Sequence, residues 1–350
     1  MPYSDCPDHA FWKLCLEDRR HLIGELYRPK FQISAKTRIA TAGSCFAQYF
    51  GKYVKKSNLV FHDAEPPPEK MPENVAHDYG YGLFSARYGN IYTVRQLRQL
   101  IEDGLNATLR ETAIWKNDGK VVDGLRPTIE KHGYQSTDEL RKHRYRHLRS
   151  VIELFSECEI FVFTLGLTEA WQDIRDGTVF PVAPGSVAGL YDSNIHDFVN
   201  FSIFDISNDL HFVVETLSQL NPALKIILTV SPVPLTATAT GKHIAQATTY
   251  SKSALRAVAE QCVLQHDNVD YFPSFEIITS PIFQRNFYEP NMRSVSRFGV
   301  ETVMQVFFDA HRELHCQVQG ENFPTQISGG AKTDQEIICE EIVLEEFVKK

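Results

Sequence analysis

The sequence predicts an α/β protein whose mainly parallel sheet is covered by helices on both faces. Three short apolar segments, 159–164, 225–230 and 269–272, have the composition of buried strands. Segments with helical spacing of apolar residues lie between them, so strands and helices alternate along the chain. Because parallel neighbours need a crossover connection, this alternation predicts a three-layer α/β/α sandwich.

The order of the elements follows from the same patterns. The first strand is expected at 38–42 and a second, shorter strand at 59–61. A hairpin is expected to turn at Asn117-Asp118-Gly119. The stretches 74–93 and 172–200 are rich in glycine or in turn residues and are predicted to be loops. The expected helices span 46–55, 91–103, 137–158, 206–220, 249–266 and 299–311.

A single α/β domain is predicted over 38–311, with 172–200 as a loop-rich insertion inside it. Residues 1–37 are polar and aromatic without clear periodicity, and we expect them to form an arm packed on this domain. Residues 312–350 form a polar tail that is predicted to be partly disordered, with a short acidic helix at its end.

The composition excludes several classes of protein. With 43% hydrophobic and 23% charged residues, the chain has the proportions of an ordinary globular protein. A net charge of -8 argues against binding to nucleic acids or to anionic membranes, since both need a basic surface. The dense basic run at 141–149 is therefore predicted to be a solvated helix face. No apolar run is long enough to span a membrane.

Targeting and cofactor signals are also missing from the sequence. The N-terminus lacks the basic patch and apolar core of a signal peptide, so the chain is expected in the cytoplasm. The seven cysteines are scattered without a C-x-x-C pair and are predicted to be reduced thiols. Neither a G-x-G-x-x-G segment, a P-loop nor a metal-ligand cluster occurs, so no cofactor is predicted. The oligomeric state is left open.

The Gly43-Ser44-Cys45 turn is the first candidate for chemistry. Ser44 follows a predicted strand and begins a predicted helix, where main-chain N–H groups and the helix dipole favour negative charge. A nucleophile there would have oxyanion donors close by. The alternative is that Ser44 merely caps the helix. Cys45 offers a second nucleophile, or else a thiol packed beneath the turn.

Other polar segments also follow predicted strands. Because ligands bind beyond the carboxyl ends of parallel strands, the chemistry is expected there. These segments are His62-Asp63, Gly166-Leu167-Thr168-Glu169, Ser231-Pro232-Val233-Pro234 and Pro273-Ser274-Phe275-Glu276.

Several motifs give the chain a family resemblance. Gly43-Ser44-Cys45-Phe46-Ala47 is the pentapeptide that names the GSCFA domain family, a bacterial group similar to the SGNH (GDSL-like) hydrolases. The resemblance spans roughly residues 35–310 and is carried further by segments 85–93, 163–171, 229–235, 249–252 and 271–274. It implies a flavodoxin-like α/β/α sandwich and makes Ser44 the expected nucleophile.

The resemblance also implies an oxyanion hole. In SGNH relatives it is formed by the N–H of the serine, a glycine N–H and an asparagine side chain from a Gly-x-Asn-Asp block. Gly166 matches the glycine of that block, whereas Thr168 stands where the asparagine would be. Glu169 stands where the aspartate would be, and is expected to orient the loop, to act on a proton, or simply to bind main-chain groups.

The general base departs from the family pattern. SGNH hydrolases carry an Asp-x-x-His pair after the last strand, but Asn291 and Ser294 stand at those places here. His243, in the loop after residues 231–234, is the predicted replacement. His62 and His77 are the other candidates and are assigned to substrate binding.

Further substrate contacts are assigned to three side chains. Lys252 and Arg293 are predicted to bind an anionic group of the substrate, with ordinary salt bridges as the alternative. Trp171 suits stacking on a sugar, or else packing.

The resemblance implies a serine esterase or O-acyltransferase that acts on an acylated carbohydrate or related metabolite through an acyl-Ser intermediate. The alternative is a catalytically silent carbohydrate-binding or scaffold module that keeps the SGNH fold.

Overall fold

The computed structural model describes residues 1–17, 25–283, 285–311 and 343–345. Its strands are β1 (Arg38–Gly43), β2 (Val60–Phe61), β3 (Ile114–Asn117), β4 (Lys120–Asp123), β5 (Ile160–Leu165), β6 (Glu169–Asp173), β7 (Thr178–Phe180), β8 (His196–Asn200), β9 (Lys225–Val230) and β10 (Val269–Tyr271). Its helices are α1 (Trp12–Glu17), α2 (Cys45–Lys56), α3 (Glu73–Asp78), α4 (Val94–Asn106), α5 (Thr137–Glu157), α6 (Ile203–Leu220), α7 (Ile244–Gln265), α8 (Ser274–Thr279) and α9 (Arg297–Ala310).

The central sheet is parallel throughout and has the order β10-β9-β5-β1-β2. Taken in chain order, its five strands therefore lie in the sequence 2-1-3-4-5, which is the flavodoxin-like arrangement. The predicted fold class, a three-layer α/β/α sandwich with a parallel sheet, is confirmed.

Alternating residues of each strand enter two separate cores. On β5, Phe161 and Phe163 pack with α4, α5, α6 and α7 on one face of the sheet. Ile160 and Val162 pack with α2 and α9 on the other face. Both faces are therefore covered, as the near-continuous apolar composition of the strands requires.

The N-terminal segment packs on the second of these cores. Tyr27, Phe31 and Ile33 are buried there, and the Tyr27 hydroxyl donates to Asp270 over 2.9 Å at the start of β10. The described part of this segment therefore contributes both apolar and polar contacts to the sandwich. The predicted tail, 312–350, lies outside the described residues except for 343–345.

The insertion at 172–200 was predicted to be rich in loops, but part of it is β-structure. Strands β6, β7 and β8 form a three-stranded antiparallel sheet with the order β7-β6-β8, and Trp171 lies opposite both Phe180 and Phe198. The strands are short, and charged residues interrupt their apolar alternation, so the sequence pattern is weak. Cross-strand side-chain pairs make the sheet stable only once the three segments meet.

The basic run of α5 is also not uniformly solvated. Arg141 is exposed and pairs with Glu111 over 2.6 Å, but Arg144 is buried and lies 3.4 Å from Asp123. Burial alone would raise the pKa of Asp123, but Arg144 and Arg126 hold it below its usual value. The prediction of a solvated face is wrong for the inward side of α5, because helical spacing turns every third or fourth basic residue toward the core.

His147 lies on the same buried side. Its ring is fully buried, and its Nδ1 lies 2.6 Å from Glu65 Oε2. Burial lowers the pKa of His147 to about 4, so the ring is neutral at pH 7.

We expect the stability of the protein to fall as the pH decreases from 7 to 5, partly because of His147. Below its ordinary pKa of 6.5 the unfolded chain binds a proton that the folded chain excludes down to about pH 4. The loss is about 1.4 kcal/mol for each pH unit below 6.5. Urea unfolding of the wild type and His147→Gln across this range checks it, since glutamine can still donate to Glu65 but does not titrate. Equal pH slopes would contradict this assignment.

Gly43→Ala is expected to destabilise the fold by about 3 kcal/mol or more. Gly43 has a φ of +137°, and an added Cβ would collide with the main chain of Thr164 in β5. Gly119→Ala is the matched control, because Gly119 also has a positive φ of +77° but no atom within 4 Å of an added Cβ. Urea unfolding should show a small loss for the control. Similar losses in both variants would mean that the contact with β5 is unimportant.

Candidate active site

The candidate site lies where the direction of strand addition reverses, between β1 and β5. In sheets of this order, ligands bind beyond the carboxyl ends of the two strands that flank this switch point. Ser44 directly follows β1, and Gly166 directly follows β5. An added Cβ on Gly166 would lie 3.1 Å from Ser44 Cβ, so the two turns are in contact. It would also lie 2.9 Å from Tyr92 O, which is too close for any side chain, so glycine is needed there.

Ser44 occupies the N-cap position of α2 but does not cap the helix with its side chain. The Ser and Thr residues that begin α4, α5, α6 and α9 all accept a hydrogen bond from a main-chain N–H of the first turn. Ser44 Oγ has no hydrogen-bond partner among the described residues, although Ser44 is only 3% exposed. A buried hydroxyl without a partner is costly, so it needs an explanation, and a catalytic role is one.

The main chain around Ser44 is held from two sides. Ser44 N–H donates to Thr164 O over 3.3 Å, and Gly43 O accepts from Ile91 N–H over 2.8 Å. The C-terminal end of the predicted glycine- and tyrosine-rich loop, 74–93, therefore crosses the end of β1. Within it, Asn90 Oδ1 accepts from Gln48 Nε2 over 3.1 Å, and both side chains are buried.

The turn after β5 brings Thr168 to the site. Thr168 is completely buried, and its hydroxyl has no hydrogen-bond partner within the described part of the chain. Gly166 N–H and Leu167 N–H both donate to Tyr92 O, over 3.2 and 2.8 Å. The Gly166 N–H that the resemblance offered as an oxyanion donor is thus already bonded, whereas the Thr168 hydroxyl is available.

Glu169 binds the loop that follows β9. Its carboxylate accepts from the Thr238 hydroxyl over 2.8 Å and from Ala239 N–H over 3.4 Å. Burial raises the pKa of Glu169 against the opposing effect of these bonds. Of the roles expected for Glu169, orienting a loop is the one that these contacts favour.

His243 does not contact Ser44 directly. It is exposed at the N-terminus of α7, and its Nδ1 accepts from Ala245 N–H over 3.2 Å. In this conformation the imidazole caps a helix. Its role as general base therefore stays a prediction that requires a bridging water or a movement of the loop before α7.

His62 lies at the opposite edge of the sheet. Its N–H donates to Ile39 O near the start of β1, and its Nε2 lies 3.6 Å from Glu157 at the end of α5. Five residues of extended chain separate Ile39 from Ser44, which is about 16 Å. This position argues against contact with a substrate at Ser44, because β2 pairs only with the first two residues of β1.

The other predicted substrate contacts are dispersed. His77 lies half-buried on α3. Trp171 packs edge-on against Tyr191 and Phe198, with ring centroids 5.3 and 5.7 Å apart. These two assignments stay predictions.

Arg293 belongs to the turn at residues 291–294, where the resemblance to SGNH hydrolases would place an Asp-x-x-His pair. Asn291 Oδ1 accepts from the N–H groups of Arg293 and Ser294, over 3.0 and 2.9 Å, and its amide also bonds the Ser294 hydroxyl. Tyr288, just before this turn, donates to Pro232 O over 2.9 Å beyond β9. This bond ties the segment before the turn to the chain beyond the carboxyl end of β9.

Lys252 bonds the turn that follows β5, and its binding of an anionic substrate group stays a prediction. Lys252 is only 3% exposed, and its Nζ donates to Gly166 O over 2.7 Å. The preceding residue, Ser251, is fully buried and accepts from Thr168 N–H over 3.1 Å. Sequence reasoning missed Ser251, Asn90 and Gln48; the first two lie in motif segments 249–252 and 85–93, which were the available signal.

Cys45, the second candidate nucleophile, is buried in the first turn of α2. The described cysteines are free thiols. Among the described residues, no group of three or more metal-binding side chains is arranged to hold an ion. None of the helices in this part of the chain combines the length and apolar character needed to cross a bilayer.

Comparison with known proteins adds two findings. No curated protein matches the chain. A solved structure from Parabacteroides merdae ATCC 43184, described as a "putative GDSL-like lipase", is similar to it with a TM-score of 0.34 and 13% identity. That alignment covers 81% of this chain and 100% of the other.

A family match covers most of the sandwich. Residues 38–307 match the GSCFA family, a range that begins at β1 and ends within α9. It includes the turns of Ser44 and Gly166 and the helix that carries Lys252. The chain therefore belongs to the GSCFA family.

Proposed function

We propose that this protein is a serine-dependent esterase or O-acyltransferase with Ser44 as its nucleophile. The observation that carries the proposal is the buried Ser44 hydroxyl, which neither caps α2 nor bonds another described residue. A hydroxyl kept in this state costs stability, and nucleophilic catalysis gives a reason to retain it.

The reaction follows from the position of the two turns. Ser44 Oγ attacks the carbonyl carbon of an ester, and the hydroxyl proton passes to a base. The carbonyl oxygen becomes negatively charged beside the N-terminus of α2, where the helix dipole and the Thr168 hydroxyl stabilise it. The alcohol then leaves with a proton, and water or a second alcohol takes the acyl group from Ser44.

His243 is the proposed base, acting through a water. The support for this role is its place at the end of the loop 231–243, which Glu169 holds at the carboxyl edge of the sheet. The lack of direct contact with Ser44 favours a second candidate function, a silent binding module on the same scaffold. Activity measurements separate the two.

Ser44→Ala should abolish turnover of a short-chain aryl ester and labelling by a fluorophosphonate. We expect a loss of at least about 10³-fold in kcat, with no loss of thermal stability, because an unpartnered buried hydroxyl is removed. Ser136→Ala is the matched control: Ser136 caps α5 through its side chain, so this variant should keep full activity and lose about 1 kcal/mol of stability.

Two results would contradict the proposal. If the wild type neither turns over such esters nor reacts with the fluorophosphonate, the result favours the alternative of a silent binding module. If Ser44→Ala still labels, another nucleophile such as Cys45 is responsible.

The proposed substrate is an acylated carbohydrate or related metabolite. The support is Trp171, half-buried on β6 two residues after Glu169, beside Tyr191, which is 51% exposed. Aromatic faces next to polar groups bind sugar rings well.

Tyr191→Ala should therefore raise KM for an acetylated glycoside about tenfold while leaving KM for a short aryl ester unchanged. Steady-state kinetics with both substrates check this. Tyr145→Ala, which removes a comparably exposed tyrosine of α5, is the control and should change neither value. Equal effects of Tyr191→Ala on both substrates would argue against a sugar subsite.

A further inference from the structure

Each main-chain N–H group of the turn Gly166-Leu167-Thr168 has a hydrogen-bond partner. Gly166 N–H and Leu167 N–H donate to Tyr92 O. Thr168 N–H donates to Ser251 Oγ over 3.1 Å, and Thr168 O accepts from Phe201 N–H over 2.8 Å. All three N–H groups of the turn are thus occupied, so none is left to bind an oxyanion.

Two consecutive residues of helix α7 form hydrogen bonds with the two ends of this turn. Successive helical side chains point about 100° apart, so Ser251 reaches the Thr168 end while Lys252 reaches Gly166 O over 2.7 Å. Both side chains are almost completely buried. Burying a lysine this deeply is costly unless its ammonium group is hydrogen-bonded, and the Gly166 carbonyl provides such a bond.

These two hydrogen bonds fix the position of the Thr168 side chain. Thr168 Oγ1 is completely buried and has no partner among the described residues, and the turn that carries it lies against Ser44 at Gly166. We infer that Ser251 and Lys252 are positioning residues that hold the Thr168 hydroxyl as the side-chain donor to the oxyanion formed at Ser44. This inference rests on the proposed function and adds to it the residues that build the oxyanion site.

In the reaction, Ser44 Oγ forms a bond to the ester carbon and the π electrons of the carbonyl move to its oxygen. The Thr168 hydroxyl donates to that oxygen and keeps its own proton. The bond from Lys252 Nζ to Gly166 O fixes the turn that carries this donor next to Ser44. Precise placement matters because an oxyanion donor acts only at hydrogen-bond distance.

The test measures kcat and KM for a short-chain aryl ester with variants of the three residues. Thr168→Val should lower kcat about 10²–10³-fold with KM nearly unchanged. It should not lower thermal stability, because the hydroxyl it removes is unpartnered. Thr168→Ser keeps a hydroxyl and should restore most of the activity.

Ser251→Ala and Lys252→Met should each lower kcat about tenfold with KM nearly unchanged. In the Thr168→Val background the same changes should have almost no further effect, because the donor that they position is gone. Lys30→Met is the matched control: Lys30 Nζ donates to Val263 O over 2.6 Å at the other end of α7, and its loss should leave kcat unchanged.

Three outcomes would overturn the inference. Thr168→Val could turn over the ester like the wild type, Ser251→Ala and Lys252→Met could leave kcat unchanged, or these two variants could lower kcat equally with and without the Thr168 hydroxyl. If Lys252→Met does not fold, Ser251→Ala alone decides. A wild type without Ser44-dependent turnover would instead refute the proposed function, and the inference with it.

Discussion

Main-chain pairing between β1 and β5 places Gly43 directly opposite Thr164 and leaves no space for a side chain there. This close approach lets the turns after the two strands touch, so that Ser44 meets Gly166 at the switch point of the sheet. The two cores on either side of the sheet hold these strands in place. A side chain at position 43 would collide with Thr164 and disturb the pairing that brings these two turns together.

The polar groups of the candidate site reduce the stability of the fold. Ser44 and Thr168 each bury a hydroxyl without a described partner, while the surrounding main chain is well bonded. Rigid surroundings and unsatisfied reactive groups are what electrostatic preorganisation requires. Helix α7 contributes to this rigidity through Ser251 and Lys252, whose polar groups bind the turn rather than solvent.

Much of the sandwich could be predicted from the sequence, because apolar runs and helical spacing directly reflect burial. The strand at 225–230 and the helix over 137–157 agree with their predicted bounds within one residue. Helix starts were less accurate: α4 begins at Val94 because Thr93 and Gln96 form a capping box, and α7 begins at Ile244 behind His243. The β6–β7–β8 sheet was missed because its stability comes from pairing between segments.

By itself, the sequence determined the order of the strands and main helices of the sandwich, the turn that carries Ser44 and the family to which the chain belongs. Local composition encodes each of these. The tertiary structure decided which polar groups meet: it placed His62 at the far edge of the sheet, made His243 a helix cap, and brought Lys252 to the Gly166 carbonyl. Residues 86 positions apart can be joined only by the packing of α7 on the sheet, and neither spacing nor residue type specifies that contact.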